Sequence, residues 1–274
     1  MQPWQPLSFD LAGISISALH CGKGDNLLIC FHGYQQTKEL FLPVFETIPE
    51  NWQILTIDQP LHGQTIWDNS EWTWGLDFFP KFWELIEAKL SYQKVTILGF
   101  SMGGKTAMGM CSRAKKPLER LILIAPGGVK THPLETFFSY HKAGQALFKL
   151  CLRHHQPFLS VMDFAYQRKL IHKFQHRFVR AQFAFPDART KMKAYLRIYP
   201  HFNIHPELLK EIYNTTKTQF FLVWGTNDTV TTYDRSAHFL QLFPRTQFFS
   251  LNQAKHNVLE ENLAEVQQLL KQIL

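Results

Sequence analysis

The chain alternates between short, mostly apolar runs and longer stretches in which apolar residues recur every three or four positions. The runs at 27–31, 95–98, 121–125, 219–224 and 247–251 are bounded by turn-forming residues. Runs of that length predict strands, and 27–31 predicts one that is fully buried. The stretches 38–48, 74–90, 102–114, 233–242 and 258–273 predict helices; the last places Val258, Leu263, Val266, Leu270 and Ile273 on one face. Residues 7–11 and 14–19, split by Ala12-Gly13, predict an opening hairpin. Strand and helix alternate along most of the chain. The fold class expected is therefore α/β, a mainly parallel sheet flanked by helices.

Candidate chemistry sits where predicted strands end. The run Val95-Thr96-Ile97-Leu98 is followed by Gly99-Phe100-Ser101-Met102-Gly103 and then by the small residues that open a helix. A strand that turns sharply on two glycines into a helix holds the serine in a strained conformation and exposes its hydroxyl, the geometry of a nucleophile elbow. The pentapeptide alone is weak: G-x-S-x-G arises by chance in roughly one chain in ten of this length. An ordinary helix N-cap serine would look the same.

Three other strand ends change that picture. Residues 27–31 run into His32-Gly33-Tyr34, where a glycine lets the backbone turn an N–H toward the site. Acyl transfer needs two such donors for the developing oxyanion, and the N–H groups of Tyr34 and Met102 are assigned to it. His32 is read as structural. Residues 219–224 run into Gly225-Thr226-Asn227-Asp228, and Asp228 can orient an imidazole; Asp234 is read as a helix-opening acid. After 121–125 comes Pro126-Gly127-Gly128-Val129, with no acid until Glu135. Residues 247–251 precede Ala254-Lys255-His256-Asn257. Of thirteen histidines, His256 is the one that completes a serine–acid–histidine order at strand ends. His238, the nearest rival, falls within a predicted helix.

The stretch between the sixth strand and Gln219 is too long for an ordinary connection. Residues 131–217 read as largely helical, broken at Pro157, Pro186, Pro200 and Pro206. The expected organisation is a core of 1–130 with 218–274 and a helical cap of 131–217, inserted after the sixth strand. That insertion holds fourteen Lys or Arg against five Asp or Glu, a net of +9; the whole chain carries +7, so the remainder carries −2. A basic lid would attract an anionic small-molecule substrate. The competing reading is a solvated helix face, with Arg168, Lys169, Lys173, Arg177 and Arg180 beside an apolar underside of Ile171, Phe174, Phe178 and Val179. No nucleic-acid-binding motif accompanies these cations, so a nucleic-acid partner is not expected.

The motifs FHGY (31–34), DQPLHGQT (58–65), GFSMGG (99–104), GTND (225–228) and KHN (255–257) together resemble the α/β-hydrolase superfamily, in particular its small capped serine hydrolases, over nearly the whole chain. The second departs from the family's D-x-P-G-x-G-x-S loop, with Leu61 for the first glycine and Thr65 for serine; Asp58 is read as structural. The resemblance implies a Ser101–His256–Asp228 triad and excludes the branches that carry aspartate at the elbow. The chemistry is coherent on its own terms. A serine hydroxyl needs an adjacent base, imidazole as a side-chain type titrates near neutral pH, and a carboxylate fixes its tautomer. The expected activity is cleavage of a small carboxylic ester or related acyl compound through an acyl-enzyme. The alternatives are a lyase similar to that of the menaquinone pathway, a cofactor-free haloperoxidase or perhydrolase, and a ligand receptor without turnover.

Composition narrows the rest. Cys21, Cys30, Cys111 and Cys151 show no metal-ligand spacing, and His154-His155 project apart on a helix, so neither metal, cofactor nor disulfide is expected. No secretory leader or long apolar span is read, and the protein is expected to be cytoplasmic without stable membrane insertion. The abundant aromatics, Trp67, Trp72, Trp74 and Trp83 among them, are core by default. Substrate identity and oligomeric state stay open.

Overall fold

The computed structural model describes residues 3–46, 51–69, 71–116, 118–129, 137, 141–171, 176, 180, 183, 188–199, 202 and 204–274. Strands β1 (Gln5–Leu11) and β2 (Ile14–Gly22) form the expected antiparallel hairpin, with Leu11 opposite Ile14. Next come β3 (Asn26–Phe31), β4 (Trp52–Ile57), the two-residue β5 (Ile66–Trp67), α1 (Phe79–Lys89), β6 (Lys94–Phe100), α2 (Met102–Ser112) and β7 (Arg120–Ile124). After residue 200 follow α6 (Lys210–Thr215), β8 (Gln219–Gly225), α7 (Arg235–Leu242), β9 (Gln247–Leu251), α8 (Val258–Glu261) and α9 (Leu263–Ile273).

Among the described residues the sheet runs β1-β2-β4-β3-β6-β7-β8-β9, with β5 paired to β2. From β4 to β9 every neighbouring pair is parallel, while β1, β2 and β5 pair antiparallel. Strands β3 and β6 sit at the middle of this order and are buried along almost their whole length. Burial on both faces is why their sequences read as nearly continuous apolar runs. All the loops that leave parallel strands at their carboxyl ends fall on one edge of the sheet. One face carries a cluster that includes Leu28, Leu98, Ile122, Val223, Val258 and Leu270. Near α1 the aromatics pack edge to face, Trp67 on Phe78 at 4.9 Å and Trp74 on Phe79 at 5.4 Å, which makes them core.

Helix boundaries differ from the sequence expectation for identifiable reasons. In place of a helix over 38–48 there is a short 3₁₀ turn, Lys38–Phe41. Pro43 cannot supply the N–H a continuing helix needs, and residues 47–48 lie outside the described set. The helix expected from Trp74 starts at Phe79, with Pro80 in its first turn, where a missing N–H costs nothing. The last helix is broken at Asn262 (φ −122°, ψ 35°) into α8 and α9.

The chain separates into two compact units, 1–131 with 201–274, and 132–200. The segment 201–217, assigned from sequence to the insertion, is part of the first. The second unit contains α3 (Lys142–Arg153), α4 (His155–Gln167) and α5 (Ala188–Ile198), with α3 in contact with both others. Pro157 lies inside the first turn of α4 and does not break it, while Pro206 opens a 3₁₀ turn, Pro206–Leu209. Pro186, Pro200 and Glu135 lie outside the described residues, as do Lys173, Phe174, Arg177, Phe178 and Val179 of the expected basic helix. Of that helix, Arg168 caps α4, Lys169 has φ 58°, and Arg180 is exposed and bonded to Asp163.

Candidate active site

The site begins with close packing at the end of β6. A Cβ on Gly99 would meet the Gly103 carbonyl and Ala107, and one on Gly103 would collide with the Phe31 carbonyl. These two glycines let α2 turn back directly against β6 and β3. Between them Ser101 takes φ 51° and ψ −118°. Such a conformation costs on the order of 1–3 kcal/mol and persists only where the surroundings over-determine it. Here they do. Ser101 N–H donates to the Ile124 carbonyl at 3.0 Å, and the Ser101 carbonyl accepts from Gly104 at 2.9 Å and Gly127 at 2.8 Å.

The acid and the histidine come from the loops that follow β8 and β9. Their loops are tied to each other: Thr226 N–H donates to the Leu251 carbonyl and Asn227 N–H to the Ala254 carbonyl. His256 Nε2 lies 2.8 Å from Ser101 Oγ, and its Nδ1 lies 2.8 Å from Asp228 Oδ2. The structure therefore brings Ser101, His256 and Asp228 together from positions 101, 228 and 256. Asp228 is buried. Its Oδ1 accepts from Val230 N–H at 2.8 Å and Thr231 N–H at 3.0 Å, and its Oδ2 accepts from the Thr231 hydroxyl at 2.9 Å. Both oxygens are committed as acceptors, so the proton between Asp228 and His256 belongs on Nδ1. That tautomer leaves the Nε2 lone pair facing the serine hydroxyl. The Phe100 ring lies 5.4 Å from the imidazole and packs on one side of it.

Thr231 was not singled out from the sequence. Its hydroxyl lies within reach of Asp228, of the Ala125 carbonyl at 3.1 Å and of His256 Nδ1 at 3.3 Å. It joins the end of β7 to the acid. A threonine three residues after an aspartate carries no mark of this role, since such spacing also makes an ordinary turn.

The loop after β3 passes beside the serine: a Cβ on Gly33 would lie 3.2 Å from Ser101 Cβ. Gly33 N–H donates to Gln36 Oε1 at 3.0 Å. Met102 is the first residue of α2, so its N–H precedes the helix's own ladder. Tyr34, the other residue assigned from sequence, follows Gly33 and is partly exposed.

His32 is fully buried, with Nδ1 donating to the Gly33 carbonyl at 2.7 Å and Nε2 accepting from Gln59 N–H at 3.1 Å. Burial, aided by nearby His62, lowers its pKa to about 4, which keeps the ring neutral. The Gln59 amide donates to the His32 carbonyl at 2.6 Å and accepts from Thr106 on α2. The loop beside Ser101 is thus bolted to the helix that follows Ser101. Asp58 is buried in an ion pair with Lys38 at 2.6 Å and also accepts from Gln64 N–H at 2.9 Å. Burial alone would lower the Lys38 pKa, but its bonds to Asp58 and Glu39 outweigh that and raise it. Leu61 holds φ 66°, and Thr65 Oγ1 donates to the Asp58 carbonyl at 2.6 Å. The departures from the family loop are therefore absorbed locally, and the turn is kept. Asp234 stands at the N-cap position of α7, and His238 lies within that helix, half-buried. Among the described residues no three His, Cys, Asp or Glu side chains are grouped as metal ligands.

Known proteins give the same fold. The family described as alpha/beta hydrolase fold matches residues 26–150. The chain is 20% identical over 256 residues to the "Uncharacterized hydrolase YugF" of Bacillus subtilis (strain 168), covering 92% of each. It is 27% identical over 132 residues to a "Probable serine hydrolase" of Drosophila melanogaster, covering 46% of this chain and 38% of that protein. A solved thioesterase domain from the curacin biosynthetic pathway superposes with a TM-score of 0.67 at 15% identity, covering 98% of this chain and 99% of the other. With β3, β6, α2 and β7 inside the matched segment and the sheet order completed by β8 and β9, the chain has the alpha/beta hydrolase fold.

Proposed function

We propose that this protein is a serine hydrolase that cleaves a small carboxylic ester or a related acyl substrate through an acyl-enzyme. The observation that carries the reading is the single imidazole of His256, 2.8 Å from a serine hydroxyl on one side and 2.8 Å from a buried carboxylate on the other. Ser101 Oγ attacks the acyl carbonyl while His256 Nε2 takes its proton. Asp228 stabilises the imidazolium so formed and remains ionised. The N–H groups of Met102 and Tyr34 receive the oxyanion. His256 then protonates the leaving oxygen, the alcohol departs, and water repeats the sequence to free the acid. A relative named as a serine hydrolase and a structural neighbour that is a thioesterase support acyl chemistry without choosing the substrate.

The experiment is pre-steady-state kinetics on p-nitrophenyl esters of graded chain length, with mass analysis of the quenched protein. A burst of one equivalent, with the acyl mass on Ser101, is expected. Folded protein that turns over none of these esters, yet is labelled at Ser101 by a fluorophosphonate, would favour a proton-abstracting lyase. No turnover together with a silent Ser101 would favour a receptor.

A further inference from the structure

The second unit has a surface that the hydrolase reading does not use. On α3, Gly144 and Leu152 are buried, while Leu147 and Leu150 are 44% and 53% exposed. At 3.6 residues per turn these two leucines fall on one stripe with Ala143 and Ala146. Exposed Lys142, Lys149 and Arg153 run along the edge of that stripe. Helix α4 buries no residue fully; Val161 and Phe164 are 64% and 53% exposed, and Leu170 just beyond it is 73% exposed. The Arg168 guanidinium lies 4.8 Å over the Phe164 ring. Asp163 is the only acid described between 141 and 199, and it is already bonded to Arg180 and His176.

Aliphatic side chains exposed along a helix flanked by cations suit one kind of partner. A nucleic acid would use the lysines and arginines but has no use for leucine and valine at the most exposed points. A neutral apolar partner would have no use for the cations. No helix among the described residues is long and apolar enough to cross a membrane. A helix of this pattern lies in the plane of a lipid interface, with apolar residues among the acyl chains and cations at the headgroups. We propose that α3 and α4 dock this protein onto the surface of an anionic lipid bilayer. The inference stands apart from the hydrolase reading, since it requires nothing of Ser101.

The test is flotation of the full chain with phosphatidylcholine vesicles, with and without phosphatidylglycerol. The wild type should bind the anionic vesicles about tenfold or more tightly than the neutral ones, and about 0.5 M salt should release it. The pair Leu147→Ser with Leu150→Ser, and separately Lys142→Glu with Lys149→Glu, should each weaken binding about tenfold at unchanged far-UV circular dichroism. Two independent pairs at exposed positions keep the test decisive should one fail to fold. Ser101→Ala should float like the wild type, which separates failure here from failure of the hydrolase reading. Absence of anionic-vesicle binding would overturn the proposal, as would binding that both pairs leave unchanged. So would a leucine pair that only abolishes self-association, which would assign the face to a second copy. Binding of a DNA duplex in place of vesicles would assign it to nucleic acid.

Discussion

The elbow region and the α3–α4 region use glycine and leucine in opposite ways. Around Ser101 the backbone is packed so closely that Gly99 and Gly103 have no room for a Cβ. Leucines in the adjoining strands, such as Leu28 and Leu98, are wholly buried. On α3 and α4 the side chains of Leu147, Leu150, Val161 and Phe164 stand in the open. The chemistry proposed for the first region depends on positions fixed to a fraction of an ångström, because interiors pack like crystals and transmit small misfits. The docking proposed for the second depends on surface composition, which tolerates displacement.

The contrast can be broken most strongly at the acid. Asp228→Asn keeps the shape but replaces an acceptor with an amide that can donate to His256 and reverse its tautomer. The expected loss in kcat on an activated ester is on the order of 10³- to 10⁴-fold, read from steady-state rates, with KM little changed. Gly103→Ala addresses packing directly. Its methyl collides with the Phe31 carbonyl, which belongs to a central strand and cannot give way. A loss of about 3 kcal/mol or more is expected in urea unfolding, and failure to accumulate folded protein would agree with it.

Much of the first region was legible from the sequence, for a physical reason. Tight turns at strand ends demand glycine, buried parallel strands demand continuous apolar runs, and both demands leave marks in one dimension. Leu61 shows the limit of that reading, since a leucine holds a left-handed conformation where glycine was the expected solution. Side chains that act on other side chains leave fewer marks. Thr231 touches Asp228 by a hydroxyl that many turns contain, and Gln59 grips the His32 carbonyl from a loop whose pattern names only its neighbours. The second unit was legible as a basic helical insertion, but which of its apolar residues face outward depends on partners far apart in sequence.

Two smaller effects sharpen the comparison. Thr231→Val removes the hydroxyl that braces Asp228, and kcat should fall about tenfold, the worth of one hydrogen bond to a charged group. Thr231→Ser should restore most of it, while Asp228→Asn should make the valine change nearly silent in the double variant. Smallest is Leu150→Ser on the exposed face of α3. Its unfolding midpoint should stay within about 0.5 kcal/mol of the wild type, although leucine to serine in β3 or β6 would be among the most damaging changes available.

The account rests most heavily on Ser101 Oγ being an activated nucleophile. Treating the intact protein with a fluorophosphonate and mapping the modified peptide tests this directly. A single stoichiometric adduct on Ser101, formed in the wild type and lost in His256→Ala, is the predicted result. An unmodified Ser101 in folded wild-type protein, or labelling that persists unchanged without the imidazole, would contradict it.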